Sequence, residues 1–208
     1  MYAMPERIAG RICLDFVNTV DPRVGSQQTD YLPDFDAVLD WCEAAEISLP
    51  RSVARLRRTA REDAPEARRT HRRVLAMREA LFAVTAASIG DAMVRGIDLD
   101  QVNRALGESI GHRVLAPATR GGVRENWRPA DVLDQVLWPM AIDAWDLLTE
   151  PELGNVRQCP VELGGCGWLF LDSSRSGNRR WCDMRTCGNR AKARAHYSRR
   201  SQSPLPLP

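Results

Sequence analysis

The sequence lacks any long apolar run. Its richest apolar stretch covers residues 80–89 and has charged residues on both sides, Arg78 and Asp91 among them. It is therefore far shorter than the ~18 apolar residues that a membrane span needs. The first residues also lack the basic and apolar regions of a secretory signal, so we expect a cytoplasmic protein. With 44% hydrophobic and 27% charged residues in 208, the composition is that of one or two globular domains.

Catalytic signatures are also missing. Of the three histidines, neither His71 nor His112 has a ligand partner at helical spacing. Carboxylate pairs such as Asp143 and Asp146 have no nucleophile, glycine-rich phosphate loop or metal-binding helix motif near them. We therefore expect that the protein is not an enzyme. A catalytic alternative would require an apolar pocket with convergent titratable groups.

The charges are segregated along the chain, although the formal net charge is only +2. Residues 1–50 hold 3 basic and 9 acidic side chains, residues 51–78 hold 10 and 3, residues 79–156 hold 6 and 12, and residues 157–208 hold 10 and 3. This split suggests a basic end that meets a polyanion and an acidic body that does not. The arginines of 51–73 are spread around the helical wheel, so we interpret them as a solvated helical face.

Apolar spacing predicts a body that is mainly α-helical. Pro33 is expected to occupy the first turn of a helix that runs through Val38 to Cys42, and a long amphipathic helix is expected from Glu66 to about Ser88. Asp98 is the predicted N-cap of the next helix. The buried stripe of the long helix is expected to contain Val74, Met77, Leu81 and Val84.

The second half of the body is predicted to contain a small β-hairpin and one more helix. Residues 112–118 and 123–127 form the two strands. The last helix is expected to begin at Pro129, to be kinked by Pro139 and to end near Pro151.

The cysteines indicate a metal site. Four of the six fall within 29 residues as two pairs, Cys159 with Cys166 and Cys182 with Cys187. In a chain without an export signal, two pairs separated by a hairpin-sized segment are typical of tetrahedral zinc with four thiolate ligands. The alternative is four reduced structural cysteines. Cys13 and Cys42 stand alone in apolar helical patterns, where a free cysteine is usually a small buried hydrophobe.

Two segments resemble known domain families. Cys187-Gly188-Asn189-Arg190, preceded by Arg179-Arg180-Trp181-Cys182 and by Trp168-Leu169-Phe170-Leu171-Asp172, resembles the CGNR zinc finger over about residues 153–200. Leu14-Asp15-Phe16-Val17-Asn18-Thr19 resembles the opening of the ABATE domain, which accompanies that finger in bacteria. The resemblance implies a stress-induced transcription regulator with a sensory domain for an unidentified ligand and a finger that binds DNA.

The resulting domain prediction has three parts. A helical, ABATE-like sensory domain covers residues 1–152, the finger covers 153–200, and a proline-rich tail over 201–208 is expected to be disordered. One structural zinc organises the finger, because about 50 residues are seldom held together by apolar burial alone.

The finger is predicted to have a treble-clef-like ββα arrangement. The first cysteine pair forms a knuckle, and Phe170 and Trp181 lie on two strands of a hairpin that turns at residues 176–178. Cys187 begins the final helix, whose positive end favours the thiolate. The helical wheel directs His196 away from the site, so it is not expected to be a ligand.

A basic surface on the finger is predicted to contact phosphate. Three to five contacts predict a slope of about −3 to −4.5 for log K against log salt. Arg190 is expected to bond backbone carbonyls near the knuckle instead. Three alternatives stay open: a solvated face, a zinc-stabilised module that binds an acidic partner protein, and a redox sensor that releases zinc. The predicted contact residues are Arg175, Arg179, Arg180, Lys192, His196, Arg199 and Arg200.

Overall fold

The computed structural model describes residues 5–25, 27–47, 49, 51–128, 130 and 132–201, with residues 195 and 198–201 described by their backbone alone. Within these ranges the α-helices are α1 (Ile12–Val17), α2 (Phe35–Ala44), α3 (Val53–Glu62), α4 (Ala64–Ile89), α5 (Gly96–Ile110), α6 (Trp138–Thr149) and α7 (Asn189–Ser201). Three antiparallel strand pairs are formed by β1 (Val20–Asp21) with β2 (Thr29–Asp30), β3 (Arg113–Pro117) with β4 (Val123–Trp127), and β5 (Val156–Gln158) with β6 (Leu169–Leu171). None of the helices in these ranges has the length and apolar character to cross a bilayer.

The longest helix, α4, forms the centre of the body. The Asp63 carboxylate caps its first turn by accepting a hydrogen bond from the Glu66 amide at 2.9 Å. The predicted apolar stripe is buried, and α4 contacts α1, α2, α3 and α5. The prediction of a long amphipathic helix over residues 66–88 is confirmed, and the helix extends slightly further at both ends.

The predicted β-hairpin is also confirmed. Arg113 lies opposite Trp127, and Pro117 lies opposite Val123. Trp127 packs on Trp138 of α6 with the ring centroids 5.8 Å apart. The body is therefore mainly α-helical with a small hairpin, as expected, and β1 with β2 adds a short pair that the sequence did not predict.

The predicted N-cap of α5 is wrong. The helix begins at Gly96, and its N-cap residue is Arg95, so Asp98 lies in the first turn. There Asp98 pairs with the Arg95 guanidinium at 2.6 Å. The carboxylate also suits the positive end of the helix, which explains why a cap and a first-turn residue look alike in sequence.

The predicted kink at Pro139 is wrong as well. Residues Leu133–Val136 form a separate 3-10 turn, and α6 begins at Trp138. Pro139 therefore lies in the first helical turn, where its missing N–H breaks no hydrogen bond. The predicted start at Pro129 lies outside the described residues, and so does the tail beyond Ser201.

The basic stretch over residues 51–73 lies on α3 and the first part of α4. Arg57 pairs with Asp36 and Asp40 at 2.8 and 2.7 Å, so part of its charge is neutralised within the body. Arg73 likewise pairs with Asp134 at 2.8 Å and with Glu66, so the solvated helical face applies to only part of this stretch. The exposed arginines of this stretch include Arg58, Arg61, Arg68 and Arg72.

One apolar core connects the two halves of the described chain. Cys13 and Cys42 are fully buried in it, as expected for isolated cysteines. Trp168 and Phe170, which come from the carboxy-terminal region, belong to the same core as the helices of the body. The metal site described next is therefore packed against the body.

Candidate metal centre

The first cysteine pair lies in the loop between β5 and β6. The Cys159 amide donates to the Trp168 carbonyl at 2.8 Å, which extends the strand pairing into the loop. Gly164 has φ +90°, and a Cβ at Gly165 would lie only 2.6 Å from the Cys159 sulfur. The two glycines therefore permit the tight turn that brings Cys166 back beside Cys159.

The hairpin of the finger differs from the prediction. β6, which contains Phe170, pairs with β5, whereas Trp181 lies outside any strand. The Asp172 carboxylate ends β6 by accepting hydrogen bonds from the amides of Ser174 and Arg179 at 2.9 and 2.8 Å. The predicted pairing of Phe170 with Trp181 is wrong because this turn directs the chain away from β6.

The second cysteine pair lies at the start of the final helix. The Asp183 carboxylate accepts a hydrogen bond from the Arg185 amide at 2.8 Å and caps the π-helical turn Met184–Gly188. This turn contains Cys187 and continues directly into α7. The prediction that Cys187 opens the final helix is confirmed. The arrangement of a knuckle, a strand pair and a helix agrees with the treble-clef-like prediction.

The four cysteine sulfurs converge on one point. All four lie within 4.8 Å of one another, with 3.4 Å between the sulfurs of Cys166 and Cys182 and 3.7 Å between those of Cys182 and Cys187. Tetrahedral zinc with Zn–S bonds of about 2.3 Å requires sulfurs about 3.8 Å apart. Each ligand residue is at most 3% exposed. The cluster therefore has the composition, size and burial of a structural zinc site.

The thiols of this cluster do not ionise independently. Hydrogen bonds from Cys166 and Cys182 lower the pKa of the Cys159 thiol far below its usual range. The same hydrogen bonds to Cys159 raise the pKa values of Cys166 and Cys182. A buried divalent cation allows all the sulfurs to be thiolates at once, because it replaces the shared protons as the positive charge.

Arg179 supports the cluster from within the finger. Its guanidinium lies 4.6 Å from the centroid of the Phe170 ring. It donates hydrogen bonds to the carbonyl of Trp181 at 3.1 Å, to the carbonyl of Cys182 and to the carbonyl of Ile8 at 3.4 Å. These contacts use the donors that a phosphate would need.

The finger is joined to the body along the outer edge of β6. Asn18, which follows α1, donates through Nδ2 to the Leu169 carbonyl at 2.7 Å and accepts from the Leu169 amide at 3.1 Å. The Leu171 amide donates to the Ala9 carbonyl at 2.8 Å. The amino-terminal segment thus satisfies the edge of β6 that β5 leaves free.

Further contacts extend this joint to the knuckle. The Trp168 indole donates to the Val20 carbonyl at 2.9 Å, and the Arg23 amide donates to the Cys166 carbonyl at 2.8 Å. The Arg23 side chain is 3% exposed and pairs with Glu79 of α4 at 2.6 Å. The residues beside the metal site are therefore connected to the central helix of the body.

The comparisons with known proteins agree with this geometry. The family model for ABATE, described as "Putative stress-induced transcription regulator", matches residues 10–151, more than half of the chain. The chain belongs to the ABATE family. The model for the CGNR zinc finger matches residues 155–200, and no curated protein matches the sequence. In this ABATE protein the four-cysteine cluster is the metal site of a CGNR finger, which holds one structural zinc.

The residues predicted to contact nucleic acid occupy different environments in this ABATE protein. Arg179 faces inward, as described above. Arg199 and Arg200 belong to α7, but their side chains are outside the described part of the structure. Nucleic-acid contact by this set stays a prediction. The exposed members are Arg175, Arg180, Lys192 and His196.

Proposed function

We propose that this ABATE protein is a zinc-dependent transcription regulator that binds DNA directly and is not an enzyme. The family description supports a role in transcription. The proposal adds a DNA contact by the outer face of α7. It also includes regulation by stress or by a small ligand of the amino-terminal domain.

The observation that carries the proposal is a basic helix anchored at the metal site. Residues 184–201 contain six arginines and lysines and no acidic residue. Cys187 lies in the buried cluster at the start of this segment, while Lys192 and Arg194 are exposed further along it. A firmly positioned helix with only positive charges on its outer face suits the DNA phosphate backbone.

The test is fluorescence anisotropy of the full-length, zinc-loaded protein with a labelled mixed-sequence duplex at several salt concentrations. We expect binding with a slope of about −3 to −4.5 for log K against log salt. Removal of zinc by a chelator should abolish binding, because the start of α7 loses its anchor. An affinity that is independent of zinc would contradict the role given to the finger.

Two triple variants locate the contact. Replacement of three α7 residues should weaken binding and reduce the magnitude of the slope by about 0.9 for each lost phosphate contact. A control that removes the same charge from α3 and α4 should leave both nearly unchanged. Equal losses in the two variants would show that general charge, not α7, drives binding. The α7 variant is Lys192→Ala, Arg199→Ala and Arg200→Ala, and the control is Arg58→Ala, Arg61→Ala and Arg68→Ala.

Absence of DNA binding at low salt would refute the proposal. The second candidate is then a zinc-stabilised module for an acidic protein surface, because the same exposed charges attract either kind of partner. Affinity capture with nuclease treatment separates the two, since only a protein partner persists after the nucleic acid is removed.

A further inference from the structure

A small cavity lies between the body and the start of the final helix. Its volume is about 210 Å³, which is below the roughly 300–1,000 Å³ of pockets for drug-sized ligands. One wall comes from the β1–β2 pair, with Asp21 in β1 and Tyr31 directly after β2. The other wall comes from the π-helical turn and the first turn of α7, with Thr186 and Arg190, and the metal ligands Cys166, Cys182 and Cys187 also line the cavity. Any occupant therefore contacts both the body and the finger.

Three polar groups in this cavity lack partners. The Asp21 carboxylate, the Tyr31 hydroxyl and the Arg190 guanidinium form no hydrogen bond or ion pair with any described residue, although all three line the same space. Arg190 does not bond the carbonyls of the knuckle, so that expectation is wrong. Asp21 and Tyr31 are partly buried, whereas Arg190 is exposed.

The two charged groups are opposite in sign and do not touch each other. Burial raises the pKa of Asp21, and the nearby Arg190 charge offsets this only in part. The other two carboxylates in the lining, Glu6 and Asp183, are already paired with Arg185 at 2.8 and 3.0 Å. Apart from the metal-binding thiolates, the unpaired charges of the cavity lining are therefore one anion and one cation.

We propose that this cavity binds a small zwitterion, namely a free α-amino acid. Its ammonium group pairs with Asp21, and its carboxylate accepts the forked donors of Arg190 and the hydroxyl of Tyr31. Its side chain packs against Ile8 and Trp168, which belong to the apolar part of the lining. A ligand with one charge would leave the opposite group of the cavity without a partner.

Binding of a ligand at this site would affect the position of the final helix. The amino acid would bridge β1 to the first turn of α7 and so stabilise one placement of the helix on the body. That consequence rests on the proposed function, whereas ligand binding itself does not. The binding experiment contains no DNA, so failure of the site and failure of DNA binding are distinguishable.

The experiment is isothermal titration calorimetry of the full-length, zinc-loaded protein with each of the twenty L-amino acids. At least one should bind. For the tightest of them, the N-acetyl form lacks the ammonium group and the amide form lacks the carboxylate, so each should bind at least tenfold more weakly. The proposal is overturned if none of the twenty binds, or if either blocked form binds as tightly as the free amino acid.

Variants then place the ligand in this cavity. Asp21→Asn and Arg190→Gln should each weaken binding at least tenfold while zinc content stays at one per chain. Arg194→Gln is the matched control, since it removes an exposed arginine of the same helix outside the cavity lining. Unchanged affinity in Asp21→Asn and Arg190→Gln would overturn the site. Should either variant lose zinc, the blocked ligands on the unaltered protein still decide the chemistry.

Discussion

Replacement of Asn18 by alanine should lower the free energy of unfolding by about 2–4 kcal/mol. Asn18 is 2% exposed, and Leu169 is fully buried. The substitution leaves both the N–H and the C=O of Leu169 without their partners at 3.1 and 2.7 Å. Each unsatisfied buried group costs about 1–3 kcal/mol. Local relaxation relieves part of the sum, which gives the expected range.

The assay is equilibrium unfolding in urea of the full-length, zinc-loaded protein, followed by tryptophan fluorescence. Zinc content is measured beforehand, so that a change in stability reports the joint between body and finger and not loss of metal. Asn189→Ala is the matched control. Asn189 is exposed and donates one hydrogen bond to the Arg185 carbonyl at 3.1 Å, so its loss should cost less than about 0.5 kcal/mol.

A second substitution at the same position separates the two hydrogen bonds. Asn18→Asp retains the oxygen that accepts from the Leu169 amide but places an acceptor against the Leu169 carbonyl. It should therefore destabilise at least as much as Asn18→Ala. A loss below about 0.5 kcal/mol for Asn18→Ala, or normal stability for Asn18→Asp, would refute the reasoning.

Three other predictions concern zinc binding by Cys159, the ionisation of the buried Asp15 and the close packing of Gly10 against Leu171. Cys159→Ser should reduce zinc from one per chain toward none by elemental analysis, and full retention would show that Cys159 is not a ligand. Burial raises the pKa of Asp15 from 3.8 to about 6. Between these two pH values the folded state binds more protons than the unfolded state, so the contribution of Asp15 to stability falls as the pH rises. The carboxyl carbon of Asp15 should titrate near pH 6 by NMR, and a midpoint near the usual value of an aspartate would contradict this. Gly10 has φ +86°, and a Cβ there would lie 3.1 Å from that of Leu171, so Gly10→Ala should cost about 1–3 kcal/mol in urea unfolding. Gly154→Ala is the control, because a Cβ at Gly154 would have no atom within 4 Å. Equal losses of stability in the two variants would show that the contact with Leu171 is not the cause.

The metal site could be predicted from the sequence because ligation restricts residue type and spacing. Two cysteine pairs so close together are typical of structural zinc and of few other sites. Long amphipathic segments such as α4 could also be predicted, since their period is a local property. The role of Pro139 could not be predicted in the same way, because proline is compatible with both a kink and the first turn of a helix.

The joint between finger and body could not be predicted. The sequence pattern predicts that β6 pairs with the segment that follows it. In the structure β6 pairs instead with β5, which precedes it. Asn18 lies in the segment that resembles the ABATE opening, yet its hydrogen bonds reach a residue 151 positions away. Local patterns carry no information about such pairs, since an asparagine that completes a strand edge looks like any helix-terminal asparagine.

The distance along the chain between Asn18 and Leu169 also affects how the protein is made. At about 5–20 residues per second, a ribosome needs roughly 8–30 s to proceed from one to the other. During that interval the side-chain amide of Asn18 and the carbonyl of Ala9 have been synthesised, but β6, the strand to which they bind, has not. Helix α1 therefore reaches its final surroundings only after β6 exists. A nascent or truncated chain that ends before β6 leaves this edge of the body exposed, so completion of the body, and not only of the finger, depends on full-length synthesis.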